Sequence, residues 1–247
     1  MLIIPAVDLR AGRCVRLIHG ELSKETVYYD DPLSAALRWQ TEGAERLHLV
    51  DLDGAFAGKL QNAAVIEKIV RALHIPVQVG GGIRDSATAA DLLARGVERV
   101  ILGTVAVTEP QVVAELCNRF PGQVMVGIDA RDGKVAVRGW VEEADVEAGS
   151  LACRVAEMGV REVIYTDIRR DGTLSGPNLV AIRRLAESAP VKVIASGGVS
   201  RLQDIADLLM LEEFGVTGVI VGQALYTDRL ELGAALSLAA GGRNSAC

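Results

Sequence analysis

The sequence predicts an α/β protein in which eight strand–helix units close into one barrel, and three observations carry that reading. Short β-branched runs alternate with longer segments of helical period, the mark of parallel βα units. A glycine-rich signature occurs twice, about half a chain apart: Val79-Gly80-Gly81-Gly82-Ile83-Arg84 with Leu102-Gly103-Thr104, then Ala195-Ser196-Gly197-Gly198-Val199-Ser200 with Val221-Gly222-Gln223. The 247 residues are 50% hydrophobic, ample for one large core of the size that closed (βα)8 barrels have.

Taken in order, the strands are expected at 2–7, 46–50, 76–79, 99–102, 123–128, 162–166, 191–195 and 218–221. Between them, apolar residues at three- and four-residue steps with charges interleaved predict helices at 33–42, 62–73, 87–95, 111–119, 149–158, 178–187, 202–212 and 230–238. Asp85, Ser86, Asn178 and Ser200 read as caps or first-turn residues, and Gly43, Gly96, Gly159 and Gly215 stand where helix C-termini should end.

The repeat extends beyond the glycines. Ile4-Pro5-Ala6-Val7-Asp8 reads onto Met125-Val126-Gly127-Ile128-Asp129, Asp53-Gly54-Ala55 with Gly58 onto Asp171-Gly172-Thr173 with Gly176, and the segment 96–103 onto 215–222. A series of matches in the same order argues for two homologous halves, about 1–122 and 123–247, within a single domain spanning 1–247. An open doubly wound sheet uses the same units but gives no reason for an even repeat of four, so a TIM barrel is expected.

Composition narrows the function. A net charge of -6 and 4% aromatic residues argue against a nucleic-acid surface. Cys14, Cys117, Cys153 and Cys247 are scattered, and His19, His48 and His74 fall at no metal-ligand spacing, so no metal and no cofactor are expected. No apolar run approaches a membrane span and the N-terminus lacks the features of a signal peptide; a cytoplasmic protein without membrane contact is expected. A complete barrel needs no second copy, so a monomer is expected.

Chemistry in this fold sits at the C-terminal ends of the strands. Asp8 and Asp129 fall directly after the first and fifth strands, so the repeat sets them facing across the mouth, where different environments can divide two carboxylates into acid and base. The glycine segments end the third, fourth, seventh and eighth strands, where backbone N–H groups can approach a phosphate. The expected phosphate contacts are Gly81, Gly82, Gly103 and Thr104 on one side and Gly172, Gly197, Gly198, Gly222 and Gln223 on the other. A long small-molecule substrate with a phosphate at each end would span the mouth and offer its centre to the two aspartates. Arg16, His48, Arg84, Trp140, Thr166 and Asp171 are further candidate contacts: Arg16 for phosphate or carboxylate, Trp140 for stacking on a planar ligand or packing its loop, and His48 for a substrate contact or a hydrogen-bonded core imidazole.

Several of these motifs together resemble the phosphoribosylformimino-aminoimidazole carboxamide ribotide isomerases of histidine biosynthesis: Ile4-Pro5-Ala6-Val7-Asp8-Leu9, Val15-Arg16-Leu17, Leu47 through Ala55, Gln78 through Arg84, Gly139-Trp140 and Asp171 through Asn178. The resemblance covers nearly the whole chain. It implies a cofactor-free Amadori rearrangement of a bisphosphate, an N-linked aminoaldose becoming an aminoketose. It further implies Asp129 as the general acid that opens the ribose ring and Asp8 as the general base that takes the C2 proton. Rival readings are an isomerase that also accepts phosphoribosyl anthranilate, the cyclase subunit of imidazole glycerol phosphate synthase, and a non-catalytic phosphate-binding barrel. The cyclases normally have Lys where this chain has Arg16 and lack the Arg138-Gly139-Trp140 pattern.

Overall fold

The computed structural model describes residues 1–18 and 20–244; His19 and Cys247 lie outside the described residues. The first half opens with β1 (Leu2–Arg10) and a hairpin, β2 (Arg13–Ile18) and β3 (Glu21–Tyr29). It continues through α1 (Pro32–Thr41), β4 (Leu47–Asp51), α2 (Leu52–Ala57), α3 (Ala63–Ala72), β5 (Val77–Gly80), α4 (Ser86–Ala94), β6 (Arg99–Leu102), α5 (Thr104–Thr108) and α6 (Pro110–Arg119). The second half runs β7 (Val124–Arg131), a hairpin of β8 (Lys134–Val137) and β9 (Glu142–Glu147), α7 (Ala148–Glu157), β10 (Glu162–Asp167), α8 (Leu179–Ser188) and β11 (Lys192–Ser196). It ends with α9 (Leu202–Leu209), a 3-10 turn (Glu212–Phe214), β12 (Val216–Val221), α10 (Gln223–Tyr226) and α11 (Leu232–Asn244).

Eight of these strands pair in parallel around a ring, β1-β4-β5-β6-β7-β10-β11-β12, and β12 returns to β1 with Leu2 opposite Gly218 and Pro5 opposite Val221. The expected eight-unit barrel is therefore present. Two hairpins were not anticipated, and they sit at matching places, after β1 and after β7. In the second, β9 (Glu-Glu-Ala-Asp-Val-Glu) buries no residue fully and turns only Ala144 and Val146 toward the core, too short an apolar face to mark it as a strand. The ring strands β1 and β7 also run further than expected, to Arg10 and Arg131, because each continues into its hairpin. Asp8 and Asp129 thus lie within strands rather than after them.

Helix ends follow local rules. Gly43, Gly96, Gly159 and Gly215 have φ of 98°, 98°, 100° and 98°, the left-handed turn that leads each chain segment back toward the sheet. Asp85 accepts from the Thr88 N–H at 2.7 Å and Asn178 from the Ala181 N–H at 3.2 Å, capping α4 and α8. Ser200 stands one residue outside its helix: Arg201 is the cap of α9, and Ser200 donates its N–H and hydroxyl to Asp204.

Alternation along the strands separates two apolar layers. One lies between ring and helices and includes Trp39, Ile66, Ile69 and Leu116. The other fills the interior with Ile4, Ala6, Ile101, Met125, Ile164, Ile194 and Ile220. Beneath it, Arg99 pairs with Glu162 at 2.5 Å, Arg46 with Glu98 at 3.0 Å, and Thr217 donates to Glu162 at 2.6 Å, so charge at the N-terminal end is neutralised locally. Tyr226, at the end of α10, donates to the Ala6 carbonyl at 2.8 Å and accepts from the Trp39 indole at 3.2 Å, tying α10 and α1 to β1.

Candidate active site

One cavity opens at the C-terminal end of the barrel, with Ala6, Ile101, Ile164 and Ile220 on its floor and Asp8 and Asp129 on opposite walls. Asp8 is level with Val50 on the neighbouring strand, and Asp129 is level with Thr166. The two aspartates occupy equivalent positions in strands four places apart in the ring. Their surroundings differ.

Asp8 is 7% exposed and receives Arg16 Nη1 at 2.7 Å; the same guanidinium donates from Nη2 to Asp171, also 7% exposed, at 2.6 Å. Burial pushes the Asp8 carboxyl above its ordinary range, against the pull of the Arg16 charge and hydrogen bond, while Asp171 adds to the rise. Burial also works against the Arg16 charge, but Asp171 and Asp8 together outweigh it and raise its pKa above the usual guanidinium value. Arg16 comes from β2, so the unanticipated hairpin delivers the cation to the first catalytic candidate.

Among the described residues no cation pairs with Asp129. Burial raises its carboxyl as well; hydrogen bonds from the Trp140 and Thr166 side chains oppose the rise, and the Asp171 charge reinforces it. Its surface is partly exposed through the open mouth, but the walls around it are apolar enough to disfavour the charged form.

The two glycine segments flank this centre. Gly81, Gly82, Gly103 and Thr104 line the cavity on one side. Gly172, Gly197, Gly198, Gly222 and Gln223 line a small recess on the other, and Arg16 and Ile220 border both spaces. Gly103 and Gly222 share a backbone geometry, φ -102° and ψ -101° against φ -106° and ψ -100°, and each starts a short helix whose first N–H groups have no side-chain cap. Uncapped N–H groups at a helix start suit an anion. The Gln223 side-chain oxygen is buried without a partner, and the Thr104 hydroxyl accepts from the Arg138 N–H at 2.9 Å.

Of the other candidates, His48 and Thr166 line the same cavity and are buried. Arg84 reaches the cavity with its guanidinium laid against Gly58, filling the space a side chain there would need. The Trp140 ring packs on Gly20 at the tip of the first hairpin, 2.9 Å from where a Cβ of residue 20 would stand, and Gly139 packs on Phe56. Arg138, Gly139 and Trp140 all have positive φ, of 54°, 67° and 70°, so a strained turn holds the indole over the mouth.

Sequence reasoning missed the clamps that shape the two glycine rims. Asp51 accepts from the N–H groups of Gly54, Gln61 and Asn62 and from the Asn62 amide, at 2.9, 2.6, 2.9 and 2.6 Å. Asp167 accepts from the Arg169 N–H at 2.9 Å and from the Asn178 amide at 2.6 Å. The readable signal was the identical spacing of Asp51 to Asn62 and Asp167 to Asn178. Conversely, Asp53 and Asp171 matched in sequence but not in use: Asp53 binds the Ala11 N–H at 2.6 Å at the hairpin base, while Asp171 joins Arg16.

A sequence model described as "Histidine biosynthesis protein" matches residues 2–231. The chain belongs to the histidine biosynthesis protein family. Among similar members is the 1-(5-phosphoribosyl)-5-((5-phosphoribosylamino)methylideneamino) imidazole-4-carboxamide isomerase of Microcystis aeruginosa (strain NIES-843 / IAM M-2473), 57% identical over 243 residues, 98% of this chain and 96% of the relative. Proteins of the same name from Synechocystis sp. (strain ATCC 27184 / PCC 6803 / Kazusa) and Trichlorobacter lovleyi (strain ATCC BAA-1151 / DSM 17278 / SZ) are 56% identical over 243 residues and 54% over 238. They align over 98% and 96% of this chain and over 95% and 97% of their own lengths. The resemblance read from the motifs is borne out for this histidine biosynthesis family member.

Proposed function

We propose that this chain catalyses the isomerisation named in its relatives, an Amadori rearrangement of a bisphosphorylated N-ribosyl imidazole carboxamide, acting as a cytoplasmic monomer. One observation carries the reading: two glycine-lined anion sites bracket a cavity whose opposite walls hold Asp8 and Asp129, with Arg16 bordering one site and touching Asp8. That line suits a substrate with a phosphate at each end and its ribosyl unit between them. Every group in it comes from one chain. The matched hairpins, rim glycines and Asp–Asn clamps support reading 1–122 and 123–247 as duplicated halves of one domain.

The reaction follows from the unequal carboxyls. Asp129, protonated, gives its proton to the ribose ring oxygen as the C1–O bond breaks and the nitrogen lone pair forms a protonated imine to C1. Asp8, ionised, removes the C2 proton, and the electron pair moves to form the C1–C2 double bond of an enolamine. Return of a proton to C1 and loss of the hydroxyl proton give the C2 ketone. Burial and Asp171 raise both carboxyls, but Arg16 favours the ionised form of Asp8 whereas Asp129 has only the neutral donors Trp140 and Thr166, which suits an acid. This difference supports the base and acid roles that near symmetry alone leaves exchangeable.

The test is conversion of the aminoaldose to the aminoketose, followed chromatographically, in the wild type and in Arg16→Met. Without Arg16 the Asp8 carboxyl loses the charge that favours ionisation, so the acidic limb of the kcat/KM profile should move to higher pH. Activity at neutral pH should fall by roughly 10-fold or more. Failure of the wild type to convert the substrate overturns the function; an unmoved acidic limb overturns Asp8 as base.

A further inference from the structure

Gln78 lies in β5, fully buried, two residues before the cavity-lining Gly80 and on the same inner face. Its Nε2 is 3.0 Å from Nδ1 of His48, its partner in register on β4, and its Oε1 is buried without a partner. The orientation of the amide follows from what each choice strands. With the nitrogen toward His48, the carbonyl oxygen and one N–H are left bare; turned round, both N–H donors are, and a bare buried donor is rarer than a bare acceptor. An amide nitrogen only donates, so Nδ1 of His48 accepts and the ring proton resides on Nε2.

His48 is level with Ala6, one inward-facing position below Asp8. Around it the cavity floor is apolar, formed by Ala6, Ile101, Ile164 and Ile220. Burial, aided by the Arg16 charge, pulls the imidazole down to about 3, so it is neutral at physiological pH. A neutral ring with its proton fixed on Nε2 is a single polar donor on an otherwise apolar surface.

We propose that Gln78 is a positioning residue that fixes His48 as the Nε2–H tautomer, and that His48 donates from Nε2 to the sugar oxygen on the carbon that Asp8 deprotonates. The second half rests on the isomerase reading above. That oxygen is a hydroxyl in the substrate and in the enolamine and a carbonyl in the product. A neutral imidazole can hold it at each stage as an electrophile, without bringing a second positive charge beside Asp8 that would quench the base.

Long-range proton–nitrogen correlation spectra of the uniformly labelled free enzyme distinguish the two neutral tautomers, and with three histidines in the chain the His48→Gln variant assigns the signals. The expected result is the Nε2–H pattern, unchanged from about pH 5.5 to about pH 8.5. Gln78→Glu, whose carboxylate only accepts, should draw the ring proton to Nδ1 and lower kcat roughly 10²-fold with KM within about threefold. Gln78→Leu, which keeps the site apolar if Glu is not tolerated, should give a mixture of tautomers and an intermediate loss. His48→Gln, whose amide nitrogen reaches the Nε2 position, should retain more turnover than His48→Ala. A His48 found as the Nδ1–H tautomer, or titrating near neutrality, overturns the positioning role. Unchanged kcat in Gln78→Glu and His48→Ala overturns the donor role. A wild type without isomerase activity overturns the function and the donor role together, while the tautomer remains decided by the spectrum.

Discussion

Asp129→Asn is expected to lower kcat at least ~10²-fold with KM little changed, and at the same time to raise the melting temperature at neutral pH. The first effect follows because Asn keeps the shape and an acceptor for Trp140 or Thr166 but has no proton to give to the ring oxygen. The second follows from the direction of the shift. Burial holds the Asp129 carboxyl above its ordinary value, so the folded protein binds this proton more readily than the unfolded chain does. Its contribution to stability is complete below the ordinary carboxylate range and is lost as pH rises through the native value. At about pH 7 the wild type therefore bears the cost of that raised carboxyl, either as a desolvated charge or as a proton drawn from neutral solution, and Asn bears neither. The stability advantage of the variant should be a few degrees in Tm near neutrality and shrink toward zero as the pH falls to about 4. Wild-type turnover in the variant removes Asp129 from the acid role. An advantage that instead grows toward low pH contradicts desolvation as the dominant cause. Asp8→Asn should show a comparable loss of turnover, because its amide cannot accept the C2 proton.

How much of this was legible depended on whether a feature repeated or stood on a periodic pattern. The barrel was readable because its strands alternate with amphipathic helices, and Asp8 and Asp129 were readable because the duplicated landmarks single out both. The hairpins were not, since β9 sets four carboxylates around Ala144 and Val146, an apolar face of only two residues. Their absence hid the origin of the asymmetry: Arg16 and Asp171 are far apart in sequence, and nothing local signals that one guanidinium joins Asp171 to Asp8. His48 was weighed as a core imidazole or a substrate contact, and the structure gives it both attributes, buried and lining the cavity. Gln78 stood only as the start of a motif and was given no role, because one polar residue inside Val77-Gln78-Val79 looks like an interruption of a strand. The glycine rims were legible as sites but not in their internal division of labour.

That division predicts opposite outcomes for alanine at Gly198 and at Gly103. Gly198 has φ of 88°, and a methyl group there would overlap the Gly176 carbonyl oxygen, which accepts no displacement cheaply because Gly176 donates its own N–H back to the Gly198 carbonyl at 2.9 Å. The left-handed conformation costs an L-residue about 1–2 kcal/mol. The overlap adds about 1–3 kcal/mol. Gly198→Ala should therefore lose about 2–5 kcal/mol of stability in a urea titration, with Gly81→Ala similar, since a methyl at Gly81, with φ of 95°, would overlap the Asp51 carbonyl oxygen. At Gly103 nothing lies within 4 Å of the position a methyl would take. That methyl meets only the space assigned to a phosphate, so Gly103→Ala should keep most of the stability and raise KM by roughly 10-fold or more, the signature of lost binding shared by ground and transition states. A fully stable Gly198→Ala contradicts the packing argument. A Gly103→Ala enzyme with unchanged KM places the substrate phosphate elsewhere, and with it the line along which Asp8 and Asp129 meet the sugar.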